Sequence, residues 1–433
     1  MKILIKNGRV INPATGFDEI CDLAIAASKV VAIKNIASDF VPNKTIDATG
    51  CIVTPGLVDL AARLREPGYE HEGMLQSELA AAVAGGVTSL VCMPDTDPVL
   101  DEPGLVEMLK FRAEKLHQSH VFPLGALTVN LKGEVLTEMV GLAEAGCVGF
   151  SQAEVPLGNT QVLQRALQYA STFGYTIWLR PQDMHLGKGV AASGALATRM
   201  GLSGVPVAAE TIALHTIFEL MKSTQAKVHI CRISSAAGVA LVRQAKAEGL
   251  QVSCDVSINS LHLTDVDLGY FDSRARLNPP LRQQRDRDAL RAALLDGTID
   301  ALVSDHTPVD EDAKTLPFAE AEAGATGLEL LLSLALKWQS ESSDKSLTLA
   351  KTLATVTSQP AKVLSANLPV ANATLGQLVE GGAADICIFD PQAMWVVADD
   401  TLRSQGKHTP FSGYELPGQV RATLVSGHVA FER

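Results

Sequence analysis

The stretch VTPGLVD at residues 53–59 begins the pattern that decides the fold. It is followed by an Ala-rich helical segment that ends in two glycines, LQSELAAAVAGG at residues 75–86, and by a second apolar run, VTSLVCM at residues 87–93. A strand that is buried on both faces reads as a near-continuous apolar run, and helices commonly end at glycine. The pattern therefore predicts a strand, a crossover helix and a parallel neighbouring strand.

The same alternation continues towards the end of the chain. Six further apolar runs occur at residues 120–126, 147–151, 176–180, 227–233, 251–256 and 300–305. Amphipathic segments lie between them, for example at residues 137–146, 160–172, 210–223 and 286–297. Eight strand-plus-helix units over about 250 residues are typical of a (β/α)8 barrel, a fold of the α/β class. We expect this barrel to span residues 53–364.

Both ends of the chain carry β patterns instead. Residues 3–5, 22–25 and 30–33 are short β-favouring runs separated by turn residues such as Gly8 and Gly16. Near the other end, residues 384–390 (ADICIFD) and 422–432 (ATLVSGHVAFE) have a similar character. We expect residues 1–52 and 365–433 to pair as one composite β domain beside the barrel.

Composition excludes several classes of protein. The chain has 433 residues, 47% of them hydrophobic, and a formal net charge of −12. Such a chain can form a large core, whereas a general nucleic-acid or anionic-membrane binder would need a basic face. Its longest apolar stretches fall well short of the ~18 residues that a membrane span needs. The seven cysteines form no CxxC pair and no signal peptide is evident, which favours a reducing, cytoplasmic location.

Catalytic groups of (β/α)8 enzymes follow the carboxyl ends of the strands. In this chain those places read PGLVDLAARLREPG (55–68), MPDTDP (93–98), GFSQAE (149–154), WLRPQD (178–183), HICRISS (229–235), RLNPPLR (276–282) and DGTIDALVSDHTP (296–308). In order and spacing they resemble the dihydroorotase family of cyclic amidohydrolases, and the resemblance covers nearly the whole chain. It implies an amidohydrolase-type (β/α)8 barrel with a small β domain from both termini.

The family's zinc ligands are mostly replaced. Its first strand ends in Asp-x-His-x-His-x-Arg, where two histidines at i and i+2 point to the same side and share an ion. Here Ala61 and Arg63 stand at the two histidine positions, and neither can ligate zinc. The resemblance implies six former metal-ligand positions: Ala61, Arg63, Gln152, Arg180, Arg232 and Asp305. Because Asp305 alone keeps a ligand, we expect no metal and no other cofactor.

The substrate-binding positions are also altered. Asp95 replaces the Asn of the family's Met-Pro-Asn-Thr motif, and its charge would repel an anionic substrate. Val309 replaces the closing His of the strand 8 motif, whereas Arg65 and Asn278 are kept. The sequence thus predicts a vestigial site made of Asp305, Arg65, Asn278 and Asp95, without a catalytic residue.

Three arginines at former ligand positions suggest how this cavity is filled. A buried carboxylate without a partner is costly, so we hypothesise that Arg63, Arg180 and Arg232 converge on Asp305 and Asp59. Binding of an anionic metabolite by the arginines is the alternative.

The histidines show no metal-binding pattern. His306 follows Asp305 directly, and neighbouring strand residues face opposite sides, so it is expected to be structural. His229, three residues before Arg232, is expected to point away from that position. The other eight show no common cluster in the sequence: His71, His117, His120, His185, His215, His262, His408 and His428.

A chain that keeps the fold and loses the reaction centre suggests a structural role. The resemblance implies a non-catalytic dihydroorotase-like protein that associates with aspartate transcarbamoylase in pyrimidine biosynthesis, as a structural, assembly or regulatory subunit. We expect a hetero-oligomer, with a homodimer left open, and no nucleic-acid or membrane partner. Two alternatives remain at this point. One is an active zinc cyclic amidohydrolase with an unusual metal site, and the other is a ligand sensor that uses Arg65, Asn278 and the arginines.

Overall fold

The computed structural model describes residues 1–368 and 372–433, with strands at both ends of the chain and alternating strands and helices between them. The strands are β1 (Ile3–Asn12), β2 (Phe17–Ala26), β3 (Lys29–Ile33), β4 (Lys44–Asp47), β5 (Ile52–Pro55), β6 (Leu57–Ala62), β7 (Val87–Cys92), β8 (His120–Pro123), β9 (Gly125–Ala126), β10 (Phe150–Ser151), β11 (Thr176–Leu179), β12 (Ala191–Ala192), β13 (Gly204–Val205), β14 (Lys227–Ile230), β15 (Val252–Ser257), β16 (Ala301–Val303), β17 (Ile386–Val396), β18 (Glu415–Val425) and β19 (His428–Glu432). The α-helices are α1 (Leu75–Ala84), α2 (Pro103–Lys115), α3 (Met139–Ala145), α4 (Thr160–Phe173), α5 (Ala195–Met200), α6 (Val207–Thr224), α7 (Ala236–Ala247), α8 (Ile258–His262), α9 (Gln284–Asp296), α10 (Leu331–Glu341), α11 (Leu349–Ala354) and α12 (Ser358–Leu364).

The two ends of the chain meet in one sheet. Its strand order is β19-β18-β17-β5-β1-β2-β3, and β4 also pairs with β1. The link between the two ends is the antiparallel pair β17–β5, in which Ile386 lies opposite Pro55. Strands from residues 3–55 and 386–432 therefore share one sheet.

The prediction of a single strand over residues 53–59 is wrong, because two different strands cover this range. Its first part belongs to β5 in the terminal sheet, and its second part to β6 in the parallel strands, so the terminal sheet extends past the predicted boundary at residue 52 to Pro55. The break falls at Gly56, where a Cβ atom would lie 2.1 Å from Thr88 Oγ1. The chain can change sheets here because glycine allows this close approach.

The central strands are all parallel and buried. They form a three-stranded sheet, β6-β7-β8, and a six-stranded sheet, β16-β15-β14-β11-β10-β9. Backbone hydrogen bonds connect the two sheets at both sides. Val148 N donates to Pro123 O (3.0 Å) on one side, and on the other His306 N donates to Ala61 O (3.1 Å) and Arg63 N to His306 O (2.8 Å). The α/β class is confirmed, whereas the strands are paired as two sheets and the closed barrel stays a prediction.

The helices occupy the predicted segments between strands, and their ends follow local chemistry. In α4, the Asn159 side chain accepts hydrogen bonds from Gln161 N and Val162 N, which caps the first turn. The same helix ends at Gly174 in a left-handed conformation (φ 76°), as helices often do. Within residues 1–368 and 372–433, no helix combines the length and the apolar character that crossing a membrane requires.

Buried carboxylates attach the segment between β17 and β18 to the central strands and their helices. Glu329 accepts hydrogen bonds from Arg403 N (2.8 and 2.9 Å) and Ser404 N (3.1 Å). Glu78 accepts from Ser404 Oγ (2.6 Å) and lies 2.8 Å from His306 Nε2. Burial raises the pKa of Glu329 from 4.5 to about 7, although the two backbone N–H groups act in the opposite direction.

Glu329 makes stability depend on pH. The folded chain keeps the Glu329 proton between pH 4.5 and about 7, whereas the unfolded chain loses it, so stability decreases as pH rises through this window. Replacing Glu329 by Gln removes this contribution, which is about 3 kcal/mol over the whole window. Denaturant unfolding at pH 5, 6 and 7 should show a flatter pH dependence for Glu329→Gln than for the wild type. The exposed Glu320→Gln serves as control, and equal slopes for all three proteins would contradict the assignment.

Candidate functional site

The candidate site is formed where five parallel strands end. The side chains come from residues one to three positions after β6, β10, β11, β14 and β16, namely Arg63, Glu154, Arg180, Arg232 and Asp305. The carboxyl ends of parallel strands lie on one side of the sheet, which explains why residues far apart in sequence meet. Arg232 and Asp305 have left-handed backbone conformations, with φ of 54° and 52°. Such conformations cost about 1 kcal/mol or more in non-glycine residues and occur at sharply turned sites.

Glu154 lies at the centre of the site. Its Oε1 atom accepts hydrogen bonds from Arg63 Nη2 (2.8 Å) and from Arg232 Nη2. Its Oε2 atom accepts from Arg180 Nη1 (2.8 Å) and from Asn278 Nδ2 (2.7 Å). One carboxylate therefore contacts three guanidinium groups and an amide. We call these five residues the Glu154 network.

Two more carboxylates neutralise the outer sides of the network. Arg63 Nε donates to Asp95 Oδ2 at 2.8 Å, and Arg232 Nη1 donates to Asp305 Oδ1 at 3.0 Å. Charge-assisted hydrogen bonds of this kind are among the strongest in proteins. The three positive charges of the arginines thus face three negative charges, from Glu154, Asp95 and Asp305.

Burial and ion pairing set the charge states. Burial alone would raise the pKa of Glu154, but Arg232, Arg180 and Arg63 outweigh it and hold that pKa well below its usual range. For Asp305, burial outweighs the attraction of Arg232 and Arg63, and its pKa is raised. Burial also lowers the pKa of Arg180 to about 10, against the attraction of Glu154. Glu154 is therefore more readily ionised than Asp305.

The hypothesis that the arginines converge on Asp305 and Asp59 is partly wrong. Arg232 contacts Asp305, but Arg63 and Arg180 turn to Glu154. Asp59 accepts hydrogen bonds from Ser304 N (3.0 Å) and Ser304 Oγ instead, and its burial raises its pKa to about 6. Since Asp59 precedes Arg63 by four residues, it lies about 13 Å further down an extended strand.

The other predicted positions have separate environments. Gln152 turns to the neighbouring loop, where it accepts from Thr128 Oγ1 (2.9 Å) and donates to Leu131 O (2.6 Å). Ala61 presents only a buried methyl group. Asn278 joins the Glu154 network, and its Oδ1 atom also accepts from Arg180 Nη2 at 2.6 Å.

Arg65 lies beside the network without joining it. Its Nε atom donates to Pro308 O (2.8 Å), and it forms an ion pair with Glu72 (2.7 Å). The side chain nevertheless lines a cavity of about 170 Å³ that also touches Arg63, Arg232 and Asp305. The structure thus brings Asp95, Asn278 and Asp305 into contact with the arginines and keeps Arg65 at the edge.

Two histidines near the site face away from it, as predicted. His306 Nε2 lies 2.8 Å from Glu78 rather than against the Asp305 carboxylate. His229 lies between Asp255 (2.9 Å) and Ser253 (2.8 Å). His229, Cys231 and Asp255 are close enough to share a metal ion. However, the Asp255 carboxylate already accepts from Arg232 N at 2.7 Å and contacts His229, so its oxygens are occupied.

The residues at the six positions that the resemblance compares with zinc ligands do not fit zinc. Zinc sites are built from imidazole, thiolate and carboxylate donors. Three of these positions carry guanidinium groups, which offer no lone pair and would repel a dication. Ala61 has no donor atom, and the Gln152 amide is already hydrogen-bonded elsewhere. Asp305 is the single remaining carboxylate of the six, and Arg232 holds it.

The central residue Glu154 is not among the site residues predicted from the sequence. The segment GFSQAE places it three residues after Ser151, at a strand end that was recognised. Counting charges could have pointed to it. The three arginines carry three positive charges, whereas the two nearby acids, Asp95 and Asp305, carry only two negative ones. Buried charges are normally paired, so a third acid was required.

This arrangement of parallel strands with a polar cluster at their carboxyl ends defines an amidohydrolase-like α/β protein. A family model described as Dihydro-orotase-like matches residues 50–237. The chain is 43% identical to the "Dihydroorotase-like protein" of Pseudomonas aeruginosa over 433 residues, which covers 100% of both chains. It is 38% identical to the "Dihydroorotase" of Geobacter metallireducens over 434 residues, again covering 100% of both.

A solved structure agrees with these relatives. The L-hydantoinase (dihydropyrimidinase) from Arthrobacter aurescens superposes with a TM-score of 0.87 and 25% sequence identity, covering 99% of this chain and 96% of that one. The identity to full-length relatives establishes the family. The chain belongs to the dihydroorotase-like family of amidohydrolases.

The Glu154 network should depend on its central carboxylate. Glu154→Gln leaves three guanidinium groups with one negative charge fewer, and breaking a buried ion pair in this way typically costs about 3–5 kcal/mol. Because the Glu154 side chain keeps 29% of its exposure, we expect the lower end, about 3 kcal/mol. Denaturant unfolding at pH 7 measures this loss. The matched control is the exposed Glu134→Gln, and equal stability of the two variants would exclude a central role for Glu154.

Proposed function

We propose that this chain is a catalytically inactive dihydroorotase-like protein that serves as a structural, assembly or regulatory subunit for aspartate transcarbamoylase in de novo pyrimidine biosynthesis. The observation that carries the proposal is the Glu154 network. It occupies the carboxyl ends of the strands with neutralised guanidinium groups, where the family resemblance implies zinc ligands. A hydrolase of this family without its metal ligands lacks the means to activate water.

The chemistry of the network supports inactivity directly. A general base must be free to accept a proton, yet both oxygens of Glu154 accept two hydrogen bonds each. Asp305, the remaining acid of the former ligand set, is paired with Arg232 at 3.0 Å. These contacts stabilise a folded interior and leave no carboxylate of the network poised for catalysis.

Retention of the whole fold supports a role for the surface. The chain aligns over its full length with the named relatives, and its terminal strands, parallel strands and turns are complete within the described residues. A fold that is kept while its reaction centre is replaced is what a protein-binding subunit requires. The partner itself, aspartate transcarbamoylase, is implied by the family resemblance and not by a contact of this chain.

We also propose that the two parallel sheets close as one (β/α)8 barrel and that the protein is cytoplasmic. The bonds from Val148 N to Pro123 O and from His306 N to Ala61 O support closure, because they bridge the sheets on both sides. The seven cysteines are free thiols, which suits a reducing compartment.

The subunit role predicts a stable complex in native extract. A tagged full-length chain should co-purify with aspartate transcarbamoylase, and deletion of the chain should lower transcarbamoylase activity in the extract. Adding back the purified chain should restore that activity, whereas an unrelated protein of similar size and charge should not. Elution of the native chain alone, with transcarbamoylase activity unchanged by the deletion, would contradict the proposal.

The second candidate is an active cyclic amidohydrolase with an unusual metal site. Full-length similarity to a protein named "Dihydroorotase" favours it. The two functions differ in zinc content and in turnover of dihydroorotate, both measured on the purified wild type. We expect substoichiometric zinc and no turnover, and stoichiometric zinc with hydrolysis would establish the second candidate.

Restoring two histidines should not restore activity. The double variant Ala61→His, Arg63→His recreates the first-strand ligands but leaves Arg180 and Arg232 in place and removes one counter-ion of Glu154. We therefore expect no hydrolysis of dihydroorotate, even with added zinc. Circular dichroism and a thermal melt verify that the variant is folded, and measurable turnover would refute the prediction.

A further inference from the structure

A second cleft lies at the opposite ends of the strands from the Glu154 network. It has a volume of about 480 Å³ and is bounded by the end of α2, the start of β8 and the turn between β18 and β19. Ligand sites for small molecules commonly measure about 300–1,000 Å³. The cleft is thus large enough for a metabolite, and it is separate from the site described above.

Nitrogen-bearing side chains that are scattered in the sequence converge here. They are Lys110, His117, His120 and His428. Lys110 Nζ donates to Ala145 O at 3.2 Å, and no acidic group among residues 1–368 and 372–433 lies within ion-pair distance of it. An ammonium group without a carboxylate partner in a cleft is available to an anion. The imidazole rings add further N–H donors.

Residues at the edge of the terminal sheet contact the His120 ring and fix its position. Its Nε2 atom lies 3.3 Å from Asp385 and 3.5 Å from Ser426 Oγ, and Asp385 also accepts from Ser426 N at 2.7 Å. Burial lowers the pKa of His120, but Asp385, with a smaller contribution from Glu114, outweighs it and raises that pKa. Both contacts use the same ring nitrogen, so this is not a Ser-His-Asp catalytic arrangement, which needs one contact on each nitrogen.

The cleft wall also contains a hydrogen-bond acceptor that has no donor. Gln118 Oε1 is buried in the cleft wall and receives no hydrogen bond from any residue the structure describes. Leaving such an atom unpaired costs about 1–3 kcal/mol, so a ligand that donates a hydrogen bond here would gain affinity. Phe122 and Val148 line the same cleft with apolar surface. The wall therefore suits an organic group as well as an anion.

We propose that this cleft binds a phosphomonoester of nucleotide size. The phosphate binds against Lys110 and the imidazole N–H groups, and the organic part donates a hydrogen bond to Gln118 Oε1. Glu114 lines the cleft as well, and its negative charge disfavours a polyphosphate chain. The binding goes beyond the proposed subunit function and does not require it.

The test is calorimetric titration of the purified full-length chain at pH 7. The probes are uridine 5′-monophosphate, adenosine 5′-monophosphate, the two unphosphorylated nucleosides and inorganic phosphate. We expect at least one nucleotide to bind ten-fold or more tightly than phosphate and than its own nucleoside. Lys110→Met should weaken that binding at least ten-fold. Lys115→Met is the matched control on the same helix, because the Lys115 ammonium lies over the Phe111 ring at 4.1 Å and outside the cleft lining, and it should change affinity less than two-fold.

The variant Gln118→Met tests the contact with the organic part of the ligand separately from the contacts with the phosphate. It should weaken nucleotide binding and leave phosphate binding unchanged. Two results would overturn the proposal: nucleotides that bind no more tightly than phosphate, or nucleotide binding that Lys110→Met leaves unaltered. Thermal melts establish that each variant is folded. Because the isolated chain is used, failure here leaves the subunit role standing, and loss of the subunit role leaves this binding standing.

Discussion

The Glu154 carboxylate and the three guanidinium groups around it form the interaction on which the interior of this protein depends. Arg63, Arg180 and Arg232 leave three different strands and would repel one another in a poorly hydrated space without a shared counter-ion. Glu154 accepts a hydrogen bond from each of them, while Asp95 and Asp305 neutralise the outer sides. The resulting balance of charge lets a polar cluster be buried where the relatives' fold would place a reaction centre.

This cluster also illustrates how residue types at the strand ends set the chemistry of a site. In parallel α/β proteins the strand ends determine where side chains point, and the residue types determine what those side chains do. Here the backbone at Arg232 and Asp305 keeps sharply turned, left-handed conformations, so the side chains still converge. What converges is a set of mutually satisfied ions, which rigidifies the interior without offering a free base or a metal ligand.

The order of strands and helices was largely predictable because it is a local property. Apolar runs and helical segments that end in glycine predicted the bounds of β7, β11, α4 and α9 to within about two residues. The run at residues 53–59 was misleading, since periodicity does not reveal that the chain changes sheets at Gly56 beside Thr88. The site was predictable as a set of positions and not as a set of contacts. Asp59 was expected in the arginine cluster. It lies further from the carboxyl end of the strand, where Ser304 donates hydrogen bonds to it, and Glu154 is the central carboxylate instead.

The sequence by itself determined which donors are present at the strand ends, because residue identity alone decides whether a position can bind zinc: Ala61 and Arg63 cannot. Only the tertiary structure decided which carboxylate each arginine meets. An arginine side chain is long and rotatable, so several acceptors lie within its reach, and the nearest one in space need not be near in sequence. The same reason applies to Lys110, His117, His120 and His428, which share no sequence pattern and come together because the terminal sheet packs against the start of β8.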